Sequence, residues 1–432
     1  MLQNIKLKYG DKEKIFSCKG NKIKKIIQAD NYSKDDNKLM KDIVKSALSN
    51  PDGSKKLSEI VNKDDKVTIV ISDITRSWQK IDKFLPYIID EITAGGVELE
   101  DITILAATGS HRSHTNEEID RLLGKNTAGK IKFVDHNCYD KDNLKFLGKT
   151  SFGTPVYINK AAVDADKLIL TGGIVFHDMA GWAGGRKSIL PGIAGYETIM
   201  SNHSLTLNSR KVGGIKDDVR SGNFDNNPVH LDMMEAAEMI PPDFIFNVIP
   251  DGKGGIAAAV AGDYKKAHKK GCKLISDMFG IKINKKADLV IASCGGFPKD
   301  INLYQASKAL VNAAAAVKNN GCVILMAECR EGIGHPEVEE IMQKYENNFL
   351  REDFLRKKFS ISRYTGYLIT KTIENIKFIL ISDLEEKYID KTDIILVNTL
   401  EEALAEVEKW PHYLENIYVM PDAANTLPVV ES

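Results

Sequence analysis

The sequence predicts an α/β protein of two domains, each a mostly parallel sheet flanked by helices, with the active site in the interdomain cleft. Three observations predict it. Short β-branched runs alternate with helical patterns, as in parallel sheets joined by crossover helices. Four of these runs lead directly into loops rich in Gly, His, Arg or Lys: Val67–Ile71, Ile102–Ala107, Lys167–Thr171 and Asp288–Ser293. The length, 432 residues, exceeds what one hydrophobic core usually organises.

Taken in order, Ile5–Tyr9 and Lys14–Cys18 read as an N-terminal hairpin, and a lysine-rich helical stretch follows. Val67–Ile71 is a buried strand by its branched composition, and its loop carries Asp73 and Arg76. After Ile102–Ala107 comes Thr108-Gly-Ser-His111, and Thr115-Asn-Glu-Glu118 has the form of a capping box opening a helix. Residues 171–203 hold seven glycines among His177, Arg186, Lys187 and His203. Glycine gives up backbone entropy on folding, so this density implies close approach to the backbone. Pro191-Gly192 is read as opening a helix that places Tyr196, Met200 and His203 on one face. Beyond a polar excursion near 210–230, a helix at 231–239, strands at 244–249 and 255–260, and a long helix at 263–279 complete residues 1–270, read as the first domain. Residues 271–412 read as a smaller lid, with strands at 288–293, 322–326, 376–381 and 393–397 and helices at 303–318, 335–346 and 400–409. Residues 413–432, with the strand Ile417–Met420, are read as a segment that can cross back to join the first domain.

Composition excludes several classes. A net charge of -1, from 59 basic and 60 acidic residues, provides no general field for nucleic acid or a membrane surface. No apolar run has the length of a signal peptide core or a spanning helix, so the expected location is the cytoplasm. Six scattered cysteines without a Cys-x-x-Cys pair argue against a thiolate zinc site or a disulfide framework. A small molecule is the expected ligand.

Ligands of parallel sheets bind beyond the carboxyl ends of the strands, which collects Asp73, Arg76, His111, His177, Lys187 and the 294–308 loop. Arg76 suits a carboxylate gripped by two hydrogen bonds. Gln305 and Lys308 share a helix face, and the alanines around Lys308 suggest a packed surface on which an amine requires an anion. Neither a Walker motif nor a dinucleotide fingerprint is present. Zinc held by His111, His177 and His203 is an alternative that the residue types allow.

Four ordered motifs, Ser72-Asp-Ile-Thr-Arg76, Ala107-Thr-Gly-Ser-His-Arg112, Gly184-Gly-Arg-Lys-Ser-Ile-Leu-Pro-Gly192 with Asn202-His203, and Gly295-Gly-Phe-Pro with Tyr304-Gln-Ala-Ser-Lys308, closely resemble those of the nickel-dependent lactate racemase family. The similarity extends through nearly the whole chain. It implies racemisation of a 2-hydroxy acid, most directly D- and L-lactate, by reversible hydride transfer to a nickel-pincer cofactor of the pyridinium-3,5-bisthiocarboxylic acid mononucleotide type, built by separate maturation enzymes. By motif position, Lys187 is the covalent attachment and His203 the nickel ligand. His111 and His177 are the paired bases, Arg76 and Lys308 meet the substrate carboxylate, Asp73, Tyr304, Gly184 and Gly185 adjoin the cofactor, and Gln305 and Tyr364 adjoin the substrate. The sequence departs from the family pattern at Ser77 and Ser113, where proline is frequent, at His114, an extra imidazole, and at Tyr364, where a tryptophan stands. The alternative within the class is a racemase or epimerase of another 2-hydroxy acid, malate or larger, with malate favoured if His114, Arg112 or Lys299 reaches the substrate. From another class, the alternative is a hydroxy-acid-binding protein without catalysis.

Overall fold

The computed structural model describes residues 2–19, 22–29, 40–125, 127–252, 254–409 and 414–431. The chain divides into two compact units: Asn31–Thr206 with Ile215–Asp277, and Met1–Asp30 with Leu207–Gly214 and Met278–Ser432.

The first unit is organised by a six-stranded sheet in the spatial order 256–262, 244–250, 167–173, 67–72, 102–107, 132–135. All neighbours are parallel except the edge strand Ile256–Gly262, which runs antiparallel to Phe244–Pro250. Val67–Ser72 is buried along nearly its whole length, as expected of a parallel strand covered on both faces. Its core packs against the helix Ile81–Ala94, whose Phe84, Leu85, Ile88 and Ile92 recur at helical spacing and are fully buried. The Phe84 and Phe246 rings lie 5.0 Å apart. From Val67–Ser72 the chain winds outward through 102–107 to 132–135. It then returns to 167–173 on the other side, so the carboxyl ends of 67–72 and 167–173 flank a topological switch point, where α/β sheets open a crevice.

The second unit carries an all-parallel sheet in the order 394–397, 377–381, 317–326, 287–293, 417–420, 23–26. Ala287–Ser293 is buried throughout, and helices Leu303–Ala316, Ile361–Ile373 and Leu400–Glu408 accompany the sheet. The hairpin Leu2–Tyr9 with Lys12–Lys19 belongs here too, held by the Ser293 hydroxyl on the Lys8 carbonyl and by Tyr9 on Asp383.

This partition departs from the sequence reading at both termini. The N-terminal hairpin and strand Ile23–Ile26 lie with the C-terminal half, and Ile417–Met420 inserts between Ala287–Ser293 and Ile23–Ile26 instead of joining the first domain. Buried edges of strand 287–293 need hydrogen-bonding partners on both sides, and the tail provides one of them. The junction at 277/278 falls at the end of the helix Lys266–Phe279, seven residues beyond the expected boundary at 270/271. Two helices that the sequence reading passed over, Asn348–Lys357 and Ile361–Ile373, precede Lys377–Ile381.

Candidate active site

The loops after strands 67–72, 102–107 and 167–173 lie at one edge of the first unit's sheet. They are tied together: the Gly109 N–H donates to the Gly192 carbonyl at 2.9 Å. A Cβ on Gly192 would stand 2.2 Å from the Ser188 carbonyl oxygen and 2.9 Å from the Ala107 Cβ, so close approach of loop to strand requires glycine there. Gly184 and Gly185 have φ of 77° and 54°. Side chains at these positions would strike Ile174 and Asn247, and His268, respectively. Their glycines answer to packing within the protein, and the Gly185 amide is taken by Asn247 Oδ1 at 2.9 Å. Asn247, absent from the sequence reading, is a fully buried amide in the apolar strand Phe244–Pro250. A polar residue inside such a run was the available signal.

Asp73 caps the turn Ile74–Gln79 and is buried. Its carboxylate accepts from the Thr75 amide at 3.1 Å, from the Thr75 hydroxyl and from His111 Nδ1 at 2.5 Å. Burial alone would raise this carboxyl, but the bonds from His111 and Thr75 and the nearby Arg76 hold it below the usual aspartate range. A carboxylate can only accept, so His111 donates from Nδ1, and in the neutral ring the Nε2 lone pair is left as a base. Arg76 is exposed, donates to the Thr75 hydroxyl at 3.0 Å, and has no ion-pair partner among the described residues.

His177 has the opposite polarity. The backbone amides of Met179 and Ala180 both donate to its Nδ1 at 3.2 Å. Asp178 Oδ1 lies equally close to that nitrogen, but backbone fixes the amide hydrogens, whereas a partly exposed carboxylate keeps water; the lone pair therefore sits on Nδ1 and the proton on Nε2. That Nε2 faces Lys187 Nζ at 2.7 Å. Burial, then Lys187, His203, Arg186 and Arg76, lowers the His177 pKa far below the ordinary value. Burial, then Arg186 and Arg76 against the opposing pull of Asp178, brings Lys187 down to about 7.

The helix expected from Pro191-Gly192 begins instead at Tyr196, preceded by Gly195, while Pro191 and Gly192 lie in a turn. His203 is buried near its end, and Nδ1 donates to the Ile199 carbonyl at 2.9 Å. Nε2 therefore carries the lone pair, the orientation a histidine needs to ligate a metal. Burial and then Lys187 push its pKa down to about 3, keeping it neutral. The neighbouring Asn202 amide donates to Asp232 at 2.8 Å, and this buried carboxylate also takes the hydroxyls of Thr150 and Thr154. Sequence reading missed that brace between helices.

Among the described residues, no three His, Cys, Asp or Glu side chains converge to hold a metal ion. His111, His177 and His203 thus do not form the three-imidazole zinc centre their residue types allow. The donor set fits a different arrangement: one imidazole lone pair, a weakly basic amine, and several cations, with the carboxylates of Asp73 and Asp178 engaged beside the His111 and His177 rings. This suits a metal whose other donors arrive with an anionic cofactor.

The groups considered for a second substrate carboxylate are already partnered. Arg112 makes a bidentate pair with Glu118, both bonds 2.7 Å. The His114 ring is buried, hydrogen-bonded to Asp135 at 2.5 Å and accepting from the Ile74 amide at 3.0 Å. Lys299 pairs with Asp422 at 2.8 Å.

Tyr304, Gln305, Lys308 and Tyr364 belong to the second unit. Asn302 caps the helix Leu303–Ala316. Lys308 is exposed and donates to Gln305 Oε1 at 2.8 Å, while Ala306, Ala309 and Ala313 are buried. The packed surface inferred around Lys308 is therefore the other side of the helix, because residues one or two positions apart point in different directions around its axis. Tyr304 lies near His335, ring centres 6.4 Å apart, and Tyr364 is buried beside Phe359.

The lactate racemase N-terminal domain family matches residues 9–214, and the lactate racemase C-terminal domain family matches residues 282–427. A lactate racemase of Thermoanaerobacterium thermosaccharolyticum is 33% identical over 434 aligned residues, covering 99% of each chain. One from Lactiplantibacillus plantarum is 32% identical over 90% of this chain and 92% of its own. The structure of the lactate racemase apoprotein from T. thermosaccharolyticum superposes with a TM-score of 0.89 over 99% of this chain and 100% of that one, at 32% identity. A crystal structure of a Thermotoga maritima protein, 18% identical with a TM-score of 0.62 over 90% of this chain and 98% of its own, shares the fold.

Proposed function

Because the chain belongs to the lactate racemase family, we propose that it is an isomerase that interconverts the enantiomers of a 2-hydroxy acid, with D- and L-lactate as its substrates, in the cytoplasm. The observation that carries this reading is the pair of imidazoles of opposite polarity, His111 with a free Nε2 lone pair and His177 with an Nε2 proton, on loops of one sheet edge. No helix among the described residues is long and apolar enough to cross a membrane.

Inversion at C2 requires breaking a C–H bond whose proton is barely acidic beside a carboxylate, so side-chain bases alone face a steep barrier. Nickel held in a pyridinium-derived pincer would supply a hydride acceptor, making a 2-keto acid the species from which either hand can be restored. His203 Nε2 would ligate the nickel, and Lys187 would hold the cofactor covalently. His111 accepts the hydroxyl proton at Nε2 while Asp73 stabilises the resulting imidazolium, and His177 serves the opposite face. Arg76 grips the substrate carboxylate; Lys308 and Gln305 are assigned to it from the second unit, with Tyr304 on the cofactor and Tyr364 beside the substrate. Enzymes that build the cofactor are the expected partners. The malate alternative loses its support because Arg112, His114 and Lys299 are each engaged.

Lactate deuterated at C2 tests this reading, using protein made together with cofactor-building enzymes. Inversion with the label retained is the expected result. Loss of deuterium to solvent at the rate of inversion would mean proton exchange, and the hydride reading would fall.

A further inference from the structure

We infer that the fold holds Lys187 as a free amine, poised for covalent modification by an activated carbonyl carbon before any cofactor arrives. The inference deepens the function proposed above and rests on it for the identity of the natural electrophile.

Hydrogen-bond polarity carries the argument. The Met179 and Ala180 amides occupy the His177 Nδ1 lone pair, so Nε2 bears the proton and points it at Lys187 Nζ, 2.7 Å away. An ammonium has only donors, and two donors cannot share that contact. The bond forms only if Nζ offers a lone pair.

Charge points the same way. Arg186, next in sequence, is 1% exposed, and its guanidinium donates to two uncharged acceptors, Ala180 O at 2.7 Å and Gly184 O at 3.4 Å, and lies 3.2 Å from His268 Nε2, whose own hydrogen goes to the Ala183 carbonyl. With no carboxylate beside it among the described residues, its charge remains uncompensated and disfavours a second cation at Lys187. Arg76 and the imidazoles of His177 and His203 add no negative charge, leaving Asp178 as the one opposing group. The resulting pKa, about 7, agrees with this geometry.

A free amine attacks carbonyl carbon with its one lone pair, which must first turn away from the His177 Nε2 hydrogen. The N–C bond forms, the bond from carbon to its leaving group breaks, and the proton shed by nitrogen goes to solvent, because His177 is already protonated on the facing nitrogen. Attachment of a thiocarboxylate- or ester-activated cofactor follows the same course.

The decisive experiment follows the lysine Cε resonances of protein made without cofactor-building enzymes, by carbon-13 NMR between pH 5.5 and 10.5, with Lys187→Arg to assign the signal. A midpoint between about 6.5 and 8 is expected; a midpoint above about 9 would overturn the inference. Acylation by 4-nitrophenyl acetate at pH 7, mapped by mass spectrometry, provides a second readout. Lys187 should react at least ~10-fold faster than exposed Lys211, and labelling of Lys187 no faster than Lys211, when the reagent is shown to reach it, counts against the inference. Arg186→Lys keeps the charge and should keep the midpoint, whereas Arg186→Met should raise it. If the Met variant does not fold, the wild-type titration still decides. Neither readout involves turnover, so the inference can fail while racemisation stands, and the reverse.

Discussion

His203 donates its Nδ1 hydrogen to the carbonyl oxygen of Ile199, one turn earlier on the same helix, at 2.9 Å. This intrahelical bond fixes the tautomer without help from any neighbouring element and leaves Nε2 as the only nitrogen available to a metal. In protein made with cofactor-building enzymes, His203→Ala should lower bound nickel from near one per chain to below about one tenth, losses of 10- to 100-fold in affinity being usual even for outer-shell changes. Elemental analysis measures it, and nickel retained at the wild-type level would remove His203 from the ligand role.

Asp73 acts on His111 from a buried position. Asp73→Asn keeps the shape but removes the charge that stabilises an imidazolium and allows the wrong tautomer. Turnover should fall by a factor of about 100 or more with KM changed less than threefold. Steady-state kinetics separates the two, and a pure KM effect would place Asp73 in binding instead.

Arg76 presents a guanidinium that touches the Thr75 hydroxyl and has no ion-pair partner among the described residues. Lysine cannot reproduce its bidentate fork, so Arg76→Lys should raise the KM for lactate about tenfold. Lys308→Ala should behave similarly in kinetics, yet leave stability within about 0.5 kcal/mol, because an exposed side chain packs against little. Chemical denaturation beside kinetics checks both halves.

Malate should be a poor substrate. With Arg112, His114 and Lys299 held by Glu118, Asp135 and Asp422, a second carboxylate would be desolvated without a partner among them. A kcat/KM at least ~100-fold below that for lactate is expected; comparable values would locate a cation these pairs do not account for.

The protein should lose stability in mild acid. Burial is the leading cause of lowered pKa at five histidines: His136 to about 4, His203 and His268 to about 3, His230 to about 2, and His177 well below its ordinary value. All are neutral when folded but take up protons near pH 6.5 when unfolded. Folded-state pKa values below the unfolded ones mean that the unfolded chain binds more protons under pH 6.5, so stability falls as pH drops from there toward 3. Each group contributes up to ~1.4 kcal/mol per pH unit, and thermal unfolding should show the midpoint declining steeply below pH 6. A midpoint flat to pH 4 would contradict these neutral states.

Local chemistry made much of this legible in the sequence. Thr115 and Glu118 form the capping box their spacing announces, and the strands preceding the site loops are all present. The Asp73–His111 bond was beyond reach because its members lie 38 residues apart and meet only when strands 67–72 and 102–107 lie side by side. Lys308 misled because alanines at neighbouring positions belong to the opposite helix face. The helices at 348–357 and 361–373 were announced by Asn347 and Ser360, which accept from the Leu350 and Arg363 amides; the first has too few apolar residues to read as a stripe, whereas the second buries Tyr364, Tyr367, Ile369 and Ile373, a signal that the sequence reading passed over.

Strand Ile23–Ile26 pairs with Ile417–Met420, so a segment made near the start of translation must wait for nearly the whole polypeptide before its edge is satisfied. Residues up to 277 can assemble their own sheet while synthesis continues. The nascent hairpin, by contrast, stays a tether without a dock until Ser293 and Asp383, which hold it, have been made, and shielding those early residues in the interval is a task this topology leaves to the cell.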